Sequence, residues 1–128
     1  MRLLLDTHVM LWWLADDQRL SQVAREMIAD GRVQLLWSVV SSFELAVKVG
    51  VGRLQLGRSL NELFVEIVSR QRAQLLPITN AHCARLADLA LHHRDPFDRL
   101  LIAQSLVEKI PILTSDSKMK LYSADLLW

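Results

Sequence analysis

Four acidic residues stand where a predicted strand ends or a predicted helix begins. They are Asp6 after Leu3–Leu5, Glu44 after Leu35–Trp37, Asp98 within Arg94–Arg99, and Asp116 after Pro111–Thr114. Carboxylates gathered in a partly desolvated cleft repel one another, and a cation relieves that repulsion. Carboxylate oxygens suit Mg²⁺ or Mn²⁺, which can activate water and polarise a phosphoryl oxygen. The four acids together therefore indicate a site for a divalent cation.

Each of these acids, taken singly, also has a structural explanation. The spacing Ser41-x-x-Glu44 matches a capping box that would put Glu44 in the first turn of a helix, and Asp95-x-x-Asp98 resembles one. Asp6 could cap the first helix, and Asp116 could hold a turn. Only the joint placement of all four favours the functional reading.

Strand-length apolar runs alternate along the chain with segments of helical spacing. Strands are predicted at Arg2–Leu5, Val33–Trp37, Gln74–Ile78, Ile110–Thr114 and, more weakly, Asp125–Leu127. Helices are predicted at Thr7–Ala15, Ser21–Ala29, Phe43–Val49, Leu60–Arg72, Ala81–His92 and Pro96–Glu108. The strands are too apolar for one face of the sheet to be exposed to solvent. The pattern therefore predicts a three-layer α/β/α fold with a central parallel sheet of four to five strands.

This architecture explains how acids far apart in sequence could meet. Sites in open parallel sheets form beyond the carboxyl ends of the strands. Asp6 and Asp116 follow strands directly, while Asp95 as N-cap and Pro96 as first helical residue would start the last helix at the same edge. We expect the four acids to converge there.

Composition limits the class of protein. The 128 residues suit a single domain, residues 1–128, and 52% hydrophobic residues with only 4 Gly and 3 Pro argue for a packed core. A single cysteine, Cys83, cannot form an internal disulfide, and no signal peptide or membrane span is predicted. We expect a cytoplasmic protein. The net charge of +1 does not by itself indicate nucleic-acid binding.

Four segments together resemble the PIN-domain family, and specifically VapC-type toxins, over nearly the whole chain. Leu3-Leu4-Leu5-Asp6-Thr7-His8 resembles the opening strand of that family with its first metal-binding acid. Ser38 to Gly52 resembles the second motif, His93 to Gln104 is similar to a signature of one subgroup, and Leu113-Thr114-Ser115-Asp116 resembles the Thr-x-Asp element.

The resemblance implies a metal-dependent endoribonuclease that is the toxin of a toxin–antitoxin pair. Asp6, Glu44, Asp98 and Asp116 would hold Mg²⁺ or Mn²⁺, and Thr114 would orient the pocket. The implied partners are RNA, a homodimer mate, and an antitoxin whose C-terminal segment lies in a groove near the acids. Trp12 and Trp13 give the first helix more apolar surface than one buried stripe needs, which also favours a partner.

Four basic residues close to the acids are candidates for contact with the RNA backbone: Lys48, Arg53, Arg99 and Lys118. Lys48 lies four residues after Glu44 and could equally form a surface ion pair, and the others could be solvated charges. His92 and His93 are adjacent in sequence, so we expect no chelating pair from them.

Two other functions are open. A catalytically silent PIN-like module would bind RNA or protein without cutting, although the intact set of four acids argues against it. An aspartyl-phosphate phosphatase would use the first acid, Asp6, as nucleophile. Such enzymes usually carry a second Asp two residues later, where this chain has His8.

Overall fold

A five-stranded parallel sheet forms the centre of the computed structural model, which describes residues 1–128. The strands are β1 (Arg2–Leu5), β2 (Gln34–Ser38), β3 (Gln74–Leu76), β4 (Ile112–Leu113) and β5 (Leu126–Leu127). Their order is β3-β2-β1-β4-β5, and every neighbouring pair is parallel. The predicted α/β fold with a parallel sheet of four to five strands is confirmed.

Six α-helices connect and cover the strands. They are α1 (Thr7–Leu14), α2 (Gln22–Ala29), α3 (Val39–Gly50), α4 (Leu60–Ser69), α5 (Asn80–Asp88) and α6 (Pro96–Glu108), and a 3₁₀ helix spans Ser117–Leu121. None of these helices has the length and apolar character needed to cross a bilayer.

Hydrophobic packing occurs on both faces of the sheet because successive strand residues point to opposite sides. Leu3 and Leu5 of β1 face one core, which α1, α2 and α4 complete, whereas Leu4 faces a second core completed largely by α6. All three leucines are fully buried. Burial on both faces is what makes the strands continuously apolar in sequence, and it produces the three predicted layers.

Strand β1 is the central strand, paired with β2 on one side and β4 on the other. The backbone N–H of Asp6 continues this pairing, because it donates to the carbonyl of Leu113 at 3.1 Å. The residue that follows β1 is thereby placed beside the carboxyl end of β4. The sheet thus brings Asp6 next to the segment that carries Thr114 and Asp116.

The start of α3 differs from the prediction. The helix begins at Val39, four residues before the predicted Phe43, because the buried hydroxyl of Ser38 accepts a hydrogen bond from the N–H of Val40 at 3.0 Å. Glu44 therefore lies in the second turn of α3, and the predicted capping box between Ser41 and Glu44 is wrong. The predictions that α4 and α5 continue to Arg72 and His92 are also wrong, because Arg72 has a positive φ of 55° and Leu89 is extended.

Candidate active site

Asp6 occupies the turn between β1 and α1 and is nearly buried, with 5% of its surface exposed. It is the N-cap residue of α1 by position, but its side chain accepts no hydrogen bond from that helix. Its Oδ2 instead accepts a hydrogen bond from the Thr114 hydroxyl at 2.8 Å. Thr114 in turn accepts from the N–H of Asp116 at 3.0 Å. Helix capping therefore does not explain Asp6, whose carboxylate is fixed to the end of β4.

Glu44 is also buried, and both of its carboxylate oxygens are engaged. The Thr7 hydroxyl lies 2.8 Å from Oε1 and 2.7 Å from the Ser41 hydroxyl. Because Thr7 has one hydroxyl hydrogen, donation to the carboxylate leaves it to accept from Ser41. Lys48 Nζ donates to Oε2 at 2.7 Å, which is the ion pair that the spacing of four residues allows. Glu44 is thus held from two sides.

Asp98 lies in the first turn of α6, as predicted. Asp95 is the N-cap, and its side chain accepts from the N–H groups of Phe97 and Asp98, which leaves the Asp98 carboxylate free of the capping role. Oδ2 of Asp98 lies 3.4 Å from Nε2 of His93. The side chain is 13% exposed, so it lines the cleft without being sealed from water.

Asp116 follows β4 and caps the 3₁₀ helix. Its Oδ1 accepts a hydrogen bond from the N–H of Lys118 at 2.9 Å. This is the turn-holding role that the sequence left open, but it uses only one carboxylate oxygen. Asp116 retains a second oxygen for another partner.

Electrostatics link the four acids. Burial raises the pKa of Asp6 above its ordinary value, while the hydrogen bond from Thr114 opposes this rise and the charges of Glu44 and Asp116 add to it. Burial, followed by nearby carboxylate charges, raises the pKa of Asp98 from 3.8 to about 8; the charges are those of Asp95, Asp6, Asp116 and Glu44. The charges of Glu44 and Asp116 therefore disfavour the ionised forms of Asp6 and Asp98.

A simple pattern distinguishes the acids. Asp6 and Asp116 each accept one hydrogen bond within the chain, and Asp98 has one oxygen 3.4 Å from the His93 ring. Each of these three acids keeps its other oxygen free, whereas both oxygens of Glu44 are taken. No buried side-chain oxygen or nitrogen lacks a partner, so the free oxygens reach solvent. No three acidic or imidazole side chains lie close enough together to hold a metal ion as they stand. The donor set nevertheless suits a hard divalent cation, whose charge would relieve the repulsion.

The basic candidates occupy different settings. Arg53 and Lys118 are exposed, one in the loop after α3 and the other beside Asp116. Lys48 is paired with Glu44. Arg99 donates to the carbonyl of Ala90 at 3.0 Å and to the Tyr122 hydroxyl at 3.2 Å. Arg99 therefore secures the segment after α5, and its contact with RNA stays a prediction.

Three residues near the acids escaped the sequence reasoning: Thr7, His93 and Tyr122. Thr7 adjoins Asp6 and donates to Glu44, which only the packing of α1 against α3 shows. His93 was considered only as half of a His pair, yet its ring lies between Asp98 and Tyr122. Tyr122 is 29 residues away from His93, so no local pattern connects them.

Comparisons with known proteins identify the family of this chain. The family model of the PIN domain matches residues 3–124. This chain belongs to the PIN-domain family. The curated Ribonuclease VapC22 of Mycobacterium tuberculosis (strain ATCC 25618 / H37Rv) is 30% identical over 118 residues, which is 91% of this PIN protein and 88% of the relative. The predicted resemblance to VapC-type PIN proteins is confirmed.

Solved structures share the fold of this PIN protein. The chain matches the structure of VapBC2 from Rickettsia felis bound to a DNA fragment from their promoter, with a TM-score of 0.74 and 16% identity over 99% of this chain and 98% of the other. VapBC-1 from nontypeable Haemophilus influenzae matches with a TM-score of 0.70 and 17% identity, over 99% and 97% of the two chains. At these identities the likeness concerns the fold alone.

The raised pKa of Asp98 predicts an unusual pH dependence of stability for the metal-free protein. Between pH 3.8 and about 8 the folded protein holds a proton on Asp98 that the unfolded chain has released. The free energy of unfolding therefore falls as the pH rises towards 8, by up to about 1.4 kcal/mol per pH unit. Thermal unfolding in EDTA should give a lower Tm at pH 8 than at pH 5.

The matched variants are Asp98→Asn and Asp88→Asn, the second at an exposed position on α5. In Asp98→Asn the difference in Tm between pH 5 and pH 8 should become smaller. In Asp88→Asn this difference should be the same as in the wild type. An equal slope in wild type and Asp98→Asn would assign the pH dependence to other groups.

Proposed function

We propose that this PIN protein is an endoribonuclease that depends on Mg²⁺ or Mn²⁺ and acts as the toxin of a toxin–antitoxin pair. The carrying observation is that Asp6, Asp98 and Asp116 each keep one carboxylate oxygen free at the carboxyl edge of the sheet. The 30% identity to a protein named as a ribonuclease supports the activity on RNA. We treat residues 1–128 as one domain and the protein as cytoplasmic.

The proposed ligands differ in how they would reach the cation. Asp6, Asp98 and Asp116 would contact it directly through their free oxygens, while Glu44, already bonded to Thr7 and Lys48, would act through water. When bound, the ion supplies charge stabilisation at the phosphoryl oxygens and activation of the attacking water. The chain contributes the orientation: Thr114 fixes Asp6, and the 3₁₀ helix fixes Asp116.

The RNA backbone would meet the exposed basic residues at the rim of this edge. Arg53 and Lys118 are the candidates with solvent-exposed side chains, and Lys48, with 33% of its side chain exposed, would balance the charge of Glu44. Such contacts position the phosphate without reading the base sequence.

An apolar groove supports the proposed antitoxin partner. It has a volume of about 520 Å³ and lies between α1 and the loop that precedes α4; its walls include Leu11, Trp12, Leu14, Leu54 and Leu56. His8 also lines it, and the charge of His8 lowers the pKa of Asp6, so the groove adjoins the acids. The chain also shares its fold with a toxin–antitoxin complex from Klebsiella pneumoniae and with a member of the VapBC family of toxin–antitoxin systems from Mycobacterium tuberculosis, which favours an antitoxin segment as the occupant.

A homodimer would use a different surface. Helices α3 and α4 carry exposed apolar side chains, Phe43, Val47, Val65 and Val68, of which Phe43 also packs edge-on against Phe97. Exposed apolar residues on packed helices favour a second protomer as their partner.

Cleavage of total cellular RNA tests the proposed activity. The wild-type protein should cut RNA with Mg²⁺ or Mn²⁺ and stop when EDTA is added. Asp98→Asn should lower the rate by roughly a hundredfold or more, because several kcal/mol of charge stabilisation would be lost. The control variant Asp88→Asn should cut normally. Wild-type protein that binds RNA but leaves it intact with either ion would establish the alternative, a silent binding module.

Calorimetric titration with Mn²⁺ tests the ranking of the ligands. Glu44→Gln should weaken binding by about 10- to 100-fold, the range found for groups that act behind the direct ligands. Asp6→Asn and Asp116→Asn should weaken it further. Because Glu44→Gln also leaves Lys48 unpaired, the double variant Glu44→Gln/Lys48→Gln is the matched control. A greater loss from Glu44→Gln than from Asp6→Asn would reverse the ranking.

Binding of the antitoxin's C-terminal segment tests the groove. Leu56→Glu places a charge among apolar walls and should raise the Kd at least about tenfold, while Val23→Glu, on the exposed face of α2, should leave it unchanged. Circular dichroism checks that both variants are folded. A larger effect from Val23→Glu would move the proposed partner to α2.

A further inference from the structure

Four side chains form a line of polar contacts that begins at Arg99 and ends at its neighbour on α6, Asp98. Arg99 Nη1 lies 3.2 Å from the Tyr122 hydroxyl, which lies 2.8 Å from Nδ1 of His93. Nε2 of the same histidine lies 3.4 Å from Oδ2 of Asp98. The His93 side chain is only 11% exposed, and Tyr122 is buried.

The donor and the acceptor of each hydrogen bond in this line follow from Arg99, with which the line begins. A guanidinium can only donate, so the Tyr122 oxygen accepts from Arg99. The single hydroxyl hydrogen of Tyr122 is then left to donate to Nδ1 of His93. A neutral imidazole that accepts at Nδ1 carries its proton on Nε2, which faces Asp98. The reverse tautomer would set the proton on Nδ1 against the hydroxyl hydrogen of Tyr122.

We propose that His93 is a positioning residue for Asp98, held as the Nε2–H tautomer by Tyr122 and Arg99. This inference rests on the proposed function, in which Asp98 is a direct metal ligand. Donation from Nε2 to Oδ2 would fix the rotation of the carboxylate and leave its other oxygen, Oδ1, free for the cation that Asp98 would hold. Hydrogen bonds at such sites are often long before the ligand binds, which fits the separation of 3.4 Å.

The surrounding structure holds the histidine in place. The Tyr122 ring packs edge-on against the rings of both His92 and His93, with centroids 4.9 and 5.4 Å apart. Arg99 also donates to the carbonyl of Ala90, so the line is anchored to backbone. His92 shares the contact with Tyr122 but makes no hydrogen bond to Asp98. It is therefore a matched control for His93.

The first readout is the tautomer. Long-range ¹H–¹⁵N NMR spectra of the wild-type protein, in EDTA at pH 9, should show His93 protonated at Nε2 and bare at Nδ1. A proton on Nδ1 instead would overturn the proposal. This measurement needs neither metal nor RNA, so it tests the line of hydrogen bonds even if the protein cuts no RNA.

The second readout is the affinity for Mn²⁺, measured by calorimetry. His93→Leu should weaken it by about 10- to 100-fold, as loss of an orienting partner does. His93→Gln should recover most of this loss, because its amide nitrogen can donate from the position of Nε2. Tyr122→Phe should lose less affinity for Mn²⁺ than His93→Leu, and His92→Leu should bind Mn²⁺ with the wild-type affinity.

Two outcomes of the calorimetry would contradict the proposal. One is wild-type affinity in His93→Leu, and the other is an equal loss in His93→Leu and His93→Gln, which would indicate packing rather than donation. Wild-type protein that shows the expected affinities but does not cleave RNA would refute the nuclease while the role of His93 stands. Absence of Mn²⁺ binding by the wild type would refute the metal site and, with it, the purpose assigned to His93.

Discussion

Repulsion among the carboxylates at one edge of the sheet is the physical constraint on which the arrangement of the site depends. The fold places Asp6 in a nearly buried position beside β4, where desolvation and neighbouring charge both disfavour its ionised form. Burial and neighbouring carboxylate charges disfavour the ionised form of Asp98 in the same way. Such an arrangement lowers the stability of the chain without a bound ion. A divalent cation would offset this cost directly, because it neutralises the carboxylate charges.

The supporting contacts show how the chain orients these groups without satisfying them completely. A hydroxyl from the neighbouring strand holds Asp6, an imidazole approaches Asp98, and a backbone N–H holds Asp116. Each contact uses one oxygen and leaves the other facing solvent. Glu44 differs because a lysine and a threonine occupy both of its oxygens. The same residue type thus has two roles at one site, determined by its hydrogen-bond partners.

Local sequence signals identified much of this fold. Asp95 and Pro96 marked the first turn of α6 because an N-cap and a proline at N1 act within a few residues. The start of α3 was misplaced because Ser38 lies at the end of a strand and also bonds to Gln104 of α6, a contact between distant segments. The four acids were recognisable because each follows a strand or begins a helix. Their partners His93 and Tyr122 were not, since tertiary packing alone brings them together.

The distribution of the four tryptophans has a practical consequence. Trp37 is buried, with its indole N–H bonded to Ser42, and Trp13 is bonded to Gln71. Trp12 is instead part of the groove wall, where it lies under the guanidinium of Arg19 and edge-on to Trp128. The indoles therefore sample different polarities, and occupancy of the groove changes the surroundings of Trp12 while leaving Trp37 in the core. Intrinsic fluorescence thus provides an optical signal for groove binding without an added label.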